Sequence, residues 1–499
     1  MKRWEWALLA SLFVLVLGLR LFFAFTTPHF SPDAYIHVRF VEHIMERGTL
    51  LSYDPLSYGG RTFLVSPFFY YLLGALSFIF SLDFSLRFFP QLFLSSLLII
   101  VFFIVRDITK KPLAAFFSAF LSAFIPTLFS QTIFSLSPLT LALPLLFLSL
   151  FVFFYVSRAR LVVPFVLLVA VLSFVHPTSI FLVVGFIGYI ILSKFEHIQL
   201  DRAESELVFF STFVFLWVQF LIYKQALLFH GLSFITQNIP LDIISGYFVD
   251  VSLLSALLQL GIIPLIAGVY CVYISLLKSK DKQLLLYIAF GILVSLFVVF
   301  RFIEPFVGFM YLGVCLSILS GPIFASFMGY MKKTRFPHAH IISGITLLII
   351  FFVSMVIPSI HFARAQQDAT ISDDLYSALI WIRNNTPSDS TVLAPLEEGH
   401  LITSIARRKN VIDNSFVLTS DSDKRLHDVK QMFTAPFPTE AVELLVHYKV
   451  GYIIFSRLAR IRFSISDLPY HDQFCIHPVY THNNTIVYRS TCGLEVSER

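Results

Sequence analysis

The sequence predicts a polytopic α-helical membrane protein of about eleven spans that ends in an extracytoplasmic α/β domain. Three observations predict it. The 499 residues are 57% hydrophobic and 13% charged, with a mean hydropathy of +0.80; repeated long apolar runs give that balance, and a soluble domain of this size does not. Lys and Arg gather in alternate loops, as cytoplasmic loops require. Beyond residue 360 the apolar runs shorten and charges become regular. Topology thereby accounts for the net charge of +5, and no nucleic-acid partner is expected.

The N-terminal MKRWEWALLASLFVLVLGLRLFFAF starts like a signal peptide, but its apolar core outruns an h-region and no small-residue cleavage site follows. It is expected to remain as a first span, Trp6 to Phe25, with Lys2 and Arg3 holding the N-terminus in the cytoplasm. Residues 27–87 then form a long first external loop, too rich in charge and turn residues to cross a bilayer, with an amphipathic helix near His37 to Arg47. Phe68 to Phe80 is apolar but short and reads as an interfacial or re-entrant helix; a crossing there would turn every later basic cluster outward.

The remaining spans are expected at Phe88–Val105, Leu113–Phe129, Pro138–Tyr155, Leu161–Val175, Thr178–Leu192 and Leu207–Tyr223. Val251–Leu277, Leu284–Phe302, Phe306–Met328 and Ile341–Ile360 complete the set. Inside loops carry Arg106, Lys110 and Lys111; Arg158 and Arg160; Lys194 and Arg202; Lys278, Lys280 and Lys282; and Lys332, Lys333 and Arg335. Outside loops near Ser130, at His176 and over 225–250 carry neither Lys nor Arg. This arrangement gives a transmembrane domain over 1–360 and an extracytoplasmic domain over 361–499.

In that tail Ser372 to Asn385 spaces Leu375, Leu379 and Ile382 on one helical face. Strands are expected at Thr391–Leu393, Asn410–Ile412 and Tyr452–Phe455, with a closing hairpin of Ile476–Tyr480 and Ile486–Tyr488. Helices fill Glu398–Arg407, Asp423–Phe433 and Thr439–His447. Cys271 and Cys315 lie in apolar runs as packing residues, whereas Cys475 and Cys492 lie in the tail, where an oxidising compartment would permit a pairing that their spacing does not establish. Asn384 and Asn483 each begin an Asn-x-Thr tripeptide.

The candidate site residues begin with SPDAYIHVR, Ser31 to Arg39, where an acid, an imidazole and a cation follow the first span and Asp33 and His37 stand one helical turn apart. Arg301 and Glu304 flank a late span, where snorkelling and mutual pairing are the plain alternative. Glu397, Glu398 and His400 place two carboxylates and an imidazole at a helix start, a place where the dipole alone favours acids. His176-Pro177 reads as a helix end, and the 58 Phe as lipid-facing and core packing.

Three stretches resemble one family. SPDAYIHVR followed by YDPLSYGG is similar to the first external loop of the catalytic subunit of archaeal and bacterial oligosaccharyltransferases. WIRNNTPSDSTVLAPLEEGHLITSIARRKNVID resembles the start of that family's soluble domain, and VVFRFIEPFVGFMYLGVCLSILSG its late Arg-Phe span. The resemblance implies the GT-C glycosyltransferase architecture. It implies Asp33 as catalytic base or ligand of a divalent metal (Mg or Mn), His37 and Arg39 as donor-side or structural groups, and Arg301 as a lipid-phosphate or glycan contact, with Glu304 beside it on the donor side. Glu397, Glu398 and His400 depart from the family's residues at the position where it reads its acceptor, and are expected there to bind a hydroxylated or cationic acceptor, or a metal.

The chain departs from the family where WWDYG is replaced by Pro395-Leu396-Glu397-Glu398-Gly399. The second loop, PTLFSQTIFSLSP, has no acid, and the third offers only Thr236, Gln237 and Asn238. The expected activity is therefore transfer of a sugar from a polyprenyl-(di)phosphate-linked donor to a protein, glycan or lipid acceptor on the extracytoplasmic face. Sequon-directed oligosaccharyl transfer with a divergent acceptor site is the first alternative. A transporter or flippase for lipid-linked sugars is the second, and it calls for inverted repeats and polar mid-membrane residues, which are sparse here.

Overall fold

The computed structural model describes residues 2–156, 161–249, 251–278, 281–334, 338–470 and 475–491. Arg158, Arg160, Lys280 and Arg335, counted above among the inside-loop cations, lie outside these residues, as does Cys492, and with it the open question of a pairing with Cys475. The chain forms two compact units. One comprises Met1–Pro28, Val65–Ile222 and Ile244–Asp368; the other His29–Leu64, Tyr223–Ile243 and Ala369–Arg499.

The first unit is helical. Among the described residues of the chain, seven helices are long and apolar enough to cross a bilayer, or nine if each of two bent pairs makes one crossing. Leu139–Phe153 and Val162–Val175, two of the expected spans, have 15 and 14 residues. At 1.5 Å per residue each rises roughly 21 to 23 Å, less than the ~30 Å hydrocarbon core. Phe68–Ile79 is a helix of 12 residues, short as expected.

The bends have local causes. The run expected as Leu113–Phe129 breaks into Pro112–Ala123 and Pro126–Ile133 at 47°, where Pro126 lacks the N–H that a continuous helix needs. The run expected as Val251–Leu277 turns 86° between Leu253–Leu260 and Ile262–Leu277. Gly261 sits at that corner with φ +86°, and a Cβ there would come within 2.5 Å of Met355 Sδ.

Two arginines that sequence patterning passed over are buried and hydrogen-bonded in this unit. Arg20 donates to Gln91 Oε1 at 2.9 Å and Thr132 Oγ1 at 2.6 Å. Arg87 closes the end of helix Arg3–Thr26 by donating to the carbonyls of Ala24, Thr27 and Pro28 at 2.6–2.8 Å. Each places a fork of donors where a helix or side chain offers acceptors, which is how a buried guanidinium is tolerated.

The second unit is built on a five-stranded sheet in the order β4-β3-β5-β7-β6. Its strands are β3 (Thr391–Leu393), β4 (Lys409–Asn410), β5 (Val450–Phe455), β6 (Ile476–His482) and β7 (Thr485–Ser490). The first three are parallel, whereas β7 runs antiparallel to both β5 and β6. Helices Asp373–Asn385, Ser422–Thr434 and Pro438–His447 form as their apolar spacing predicts. The helix expected at Glu398–Arg407 is a 3₁₀ turn at Leu396–Glu398, one α turn and a π-type stretch over Ile402–Ala406. A seven-residue helix, Arg457–Phe463, and the hairpin of β1 (Tyr53–Asp54) and β2 (Arg61–Thr62) were not foreseen.

The core of this unit draws on more than residues 361–499. Tyr58 packs with Leu393, Ile412, Phe416, Phe433 and Ile453, and Ile239 and Ile243 lie against the same cluster. Residues 56–58 also cover the open edge of β4. Asn410 N donates to Leu56 O at 3.0 Å, and Asn410 Oδ1 accepts from Tyr58 N at 2.8 Å. A bare sheet edge is an aggregation hazard, and this segment occupies it.

Candidate active site

The site in the second unit begins at the turn Ser31-Pro32-Asp33, where the N–H groups of Ala34 and Tyr35 donate to Ser31 O and Pro32 O at 3.0 and 3.2 Å. The turn leads into helix Ala34–Arg47, which buries Tyr35, Val38, Val41 and Ile44 and stops at Gly48 in the left-handed region, φ +73°. The burial of that face leaves Asp33 exposed at the helix N-terminus, with His37 half-buried one turn on. Asn414 Nδ2 donates to Asp33 Oδ1 at 2.8 Å.

Arg39 turns elsewhere. Its two terminal nitrogens grip the fully buried carboxylate of Asp54, Nη2 to Oδ1 at 2.6 Å, and Leu56 N donates to the same oxygen at 2.9 Å. This pair fastens helix to hairpin, which gives Arg39 the structural one of its two expected roles.

A buried polar network lies beside Asp33. Asp413 has no exposed surface. Its Oδ2 accepts from Ser57 Oγ at 2.6 Å and Asn410 Nδ2 at 2.9 Å, and its Oδ1 accepts from Ser415 N at 3.0 Å. Arg61 Nη2 stands 3.8 Å from Asp413 Oδ1, while Nη1 donates to Ser415 O and the guanidinium covers the Phe63 ring at 4.2 Å. Burial alone would raise the Asp413 carboxyl, but His400, Arg61 and the hydrogen bonds outweigh it and hold the group below its ordinary value.

The three residues grouped as one acceptor patch face three directions. Glu397 lines a cavity of about 370 Å³ with Asp242, Asp423, Lys430 and Phe463, its Oε1 3.6 Å from Arg462 Nε. Glu398 turns inward and is 2% exposed, and burial pushes its carboxyl up to about 8 against a hydrogen bond with Ser456. His400 is also buried. Its Nε2 meets Ser415 Oγ at 3.3 Å, and its Nδ1 is 3.8 Å from Asp413 Oδ2 without a hydrogen bond. Burial lowers the imidazole below its ordinary value, against the pull of Asp413 and Asp33, so it is neutral at pH 7. His400 thus belongs with Asp33, and Glu397 and Glu398 belong to neither of its surroundings.

Arg301 and Glu304 lie in the other unit. Arg301 follows helix Lys282–Val299 at φ +60°, exposed, with its guanidinium 4.9 Å from the centre of the Phe248 ring. Glu304, also exposed, precedes helix Pro305–Lys333.

Among the described residues no group of three or more His, Cys, Asp or Glu side chains is arranged to hold a metal ion. Asp33 is joined by an amide that donates to it, whereas magnesium and manganese take several oxygen donors. An ion held here would take Asp33 with water and phosphate oxygens completing its shell, as magnesium commonly does; the side chains themselves offer an exposed carboxylate held by a neutral donor beside a buried imidazole. Sequence reading missed Asp413, Asn414 and Ser415. The available signal was Asp-Asn-Ser directly after the apolar Val411-Ile412, a turn in which the Asp side chain caps the N–H two residues on.

No family model matches the chain, and no curated protein does. Solved structures do. The oligosaccharyltransferase of Archaeoglobus fulgidus in its apo form superposes with a TM-score of 0.70 at 14% identity, over 98% of this chain and 75% of that one. The same protein, AglB, in complex with an inhibitory peptide and a dolichol-phosphate gives 0.68 at 15% identity, over 98% and 74%. ArnT from Cupriavidus metallidurans bound to undecaprenyl phosphate gives 0.57 at 12% identity, over 96% and 97%. At such identities the likeness is one of fold.

Proposed function

We propose that this chain, an integral membrane protein with the GT-C fold, is a glycosyltransferase that moves a sugar from a polyprenyl-(di)phosphate-linked donor to an acceptor on the extracytoplasmic face. The observation that carries the reading is the exposed carboxylate of Asp33 at a helix start, held through one oxygen by Asn414. That the similar structures hold dolichol-phosphate and undecaprenyl phosphate supports the donor class. Loop charge supports a cytoplasmic N-terminus and an extracytoplasmic C-terminal domain.

In the proposed step Asp33 takes the proton of the acceptor's nucleophilic group as that group attacks the sugar's anomeric carbon. The carbon–oxygen bond to phosphate breaks, and the polyprenyl phosphate leaves with the electron pair, inverting the anomeric configuration. Arg301, in the other unit, keeps separately the role of lipid-phosphate or glycan contact that its resemblance implies. Turnover of radiolabelled polyprenyl-phosphate sugars by the purified protein is expected for wild type and is expected to be lost in Asp33→Asn; equal rates would remove Asp33 from the chemistry.

Sequon-directed transfer is the second reading, favoured by the higher TM-score to the oligosaccharyltransferase than to ArnT. Glycosylation of an Asn-x-Thr peptide from a lipid-diphosphate glycan would establish it over the first.

A further inference from the structure

Asn414 belongs to no motif that sequence reading singled out, yet it holds the carboxylate on which the proposed chemistry depends, across 381 residues of chain. Its own place is fixed from both sides. Asp413 before it is fully buried and hydrogen-bonded to Ser57 and Asn410. Ser415 after it closes a turn onto Asp413 Oδ1 and meets His400 Nε2 through its hydroxyl.

The donor's chemistry matters as much as its position. A lysine or arginine in the place of Asn414 would hold Asp33 as an ion pair and favour its remaining charged when a proton arrives. The neighbouring cations face other acceptors: Arg39 grips Asp54, and Arg61 donates to Ser415 O beside Asp413. A neutral amide aims the carboxylate without pairing its charge.

We infer that Asn414 is a positioning residue for the proposed transfer, orienting Asp33 through Oδ1 so that Oδ2 is presented to the acceptor's proton. The inference rests on the role proposed for Asp33. It differs from a tie that merely joins the start of helix Ala34–Arg47 to the loop after β4, and the two are separable.

Purified full-length wild type, Asp33→Asn, Asn414→Ala and Asn414→Asp are assayed for transfer of the labelled sugar, with release of polyprenyl phosphate from polyprenyl-phosphate sugars or of polyprenyl diphosphate from polyprenyl-diphosphate sugars. Lipid, glycan and peptide acceptors are supplied, and the assay spans about pH 5 to 8. Asn414→Ala is expected to lower kcat roughly 10- to 100-fold with little change in KM, because aim is lost and binding is not.

Asn414→Asp keeps the volume, and its introduced carboxyl can donate to Asp33 only when protonated. Both proteins need Asp33 ionised, so the ratio of Asn414→Asp to wild-type activity is expected to rise as pH falls and the introduced carboxyl gains the proton it donates. Arg39, Arg61, His400 and Asp413, the other charged and titratable groups in electrostatic reach of this cluster, are the same in every variant.

A merely structural tie would lower the melting temperature of both variants and leave their pH profiles parallel to wild type, and that result overturns the inference. So does wild-type kcat in Asn414→Ala. Should Asn414→Ala fail to fold, the pH trend of Asn414→Asp decides alone. An inactive Asp33→Asn beside fully active Asn414 variants overturns this inference only, whereas a fully active Asp33→Asn overturns the role of Asp33 and this inference with it.

Discussion

Replacing Asp413 by Ala is expected to be among the most damaging single changes in the second unit. The carboxylate is fully buried and receives three hydrogen bonds, from Ser57, Asn410 and the backbone of Ser415. Bonds to a charged acceptor contribute about 1.5 to 3 kcal/mol each, but they share one anchor and do not add. The substitution also leaves Arg61, 3.8 Å away and buried, without its counter-charge. Breaking a buried pair from one side costs about 3 to 5 kcal/mol, and that figure is the expected loss.

For a unit of this size, a loss of that order lowers the unfolding temperature by on the order of 10 °C. The measurement is thermal unfolding of the full-length protein in detergent, with limited proteolysis of the β4 region as a second readout. Asp389→Ala, at an exposed position, is the control and should change little. A shift for Asp413→Ala no larger than the control's would refute the reasoning. Acid should reveal the same group. Because the folded Asp413 carboxyl lies below its ordinary value, the unfolded chain binds more protons as pH drops below about 4. The stabilisation is present above that pH and is lost on further acidification, a loss that Asp413→Asn should lack.

Two further outcomes follow from the same neighbourhood. Glu398 keeps its proton in the fold up to about 8, whereas the unfolded chain releases it near 4.5, so stability should fall as pH rises through that window. Glu398→Gln should flatten this slope and be more stable than wild type at the alkaline end, as read by thermal unfolding at several pH values; an unchanged slope would show that the carboxyl is already ionised. Gly399→Ala would place a Cβ 2.1 Å from Ile412 O and 2.6 Å from Asp413 Cβ. With backbone rather than a flexible side chain in the way, a loss of about 1 to 3 kcal/mol is expected, and wild-type stability on denaturation would contradict the packing described.

Period and composition found most of the elements because those signals are local. Thr391–Leu393, the strand ending at Phe455 and the closing hairpin are short β-branched and aromatic runs bounded by turn residues, and they stand where expected. The bend at Gly261 was hidden because glycine inside an apolar run is common in membrane helices; what makes it a corner is Met355, distant in sequence. Helix Arg457–Phe463 was missed because it buries little more than Ala459.

The site was legible only in part for the same reason. Asp33 stood out by its place after the first span, but its partner is set by a loop 381 residues on, and no spacing rule reaches that far. Glu397, Glu398 and His400 were grouped because they are adjacent in sequence. A 3₁₀ turn followed by one α turn then rotates their side chains apart.

The composition of the second unit from three stretches of chain also sets an order of events during synthesis. At roughly 5 to 20 residues per second, residue 64 leaves the ribosome roughly 15 to 60 s before residue 369 does. Throughout that interval Tyr58, Arg61 and Ser57 lack their hydrogen-bond partners on the far side of the chain, since Asn410, Asp413 and Ser415 have yet to be made. The contacts of this segment with β4, and the hold on Asp33, can form only once residues 410–415 have been made. A nascent chain interrupted before residue 414 would therefore carry most of its apolar helices while lacking the group that holds Asp33.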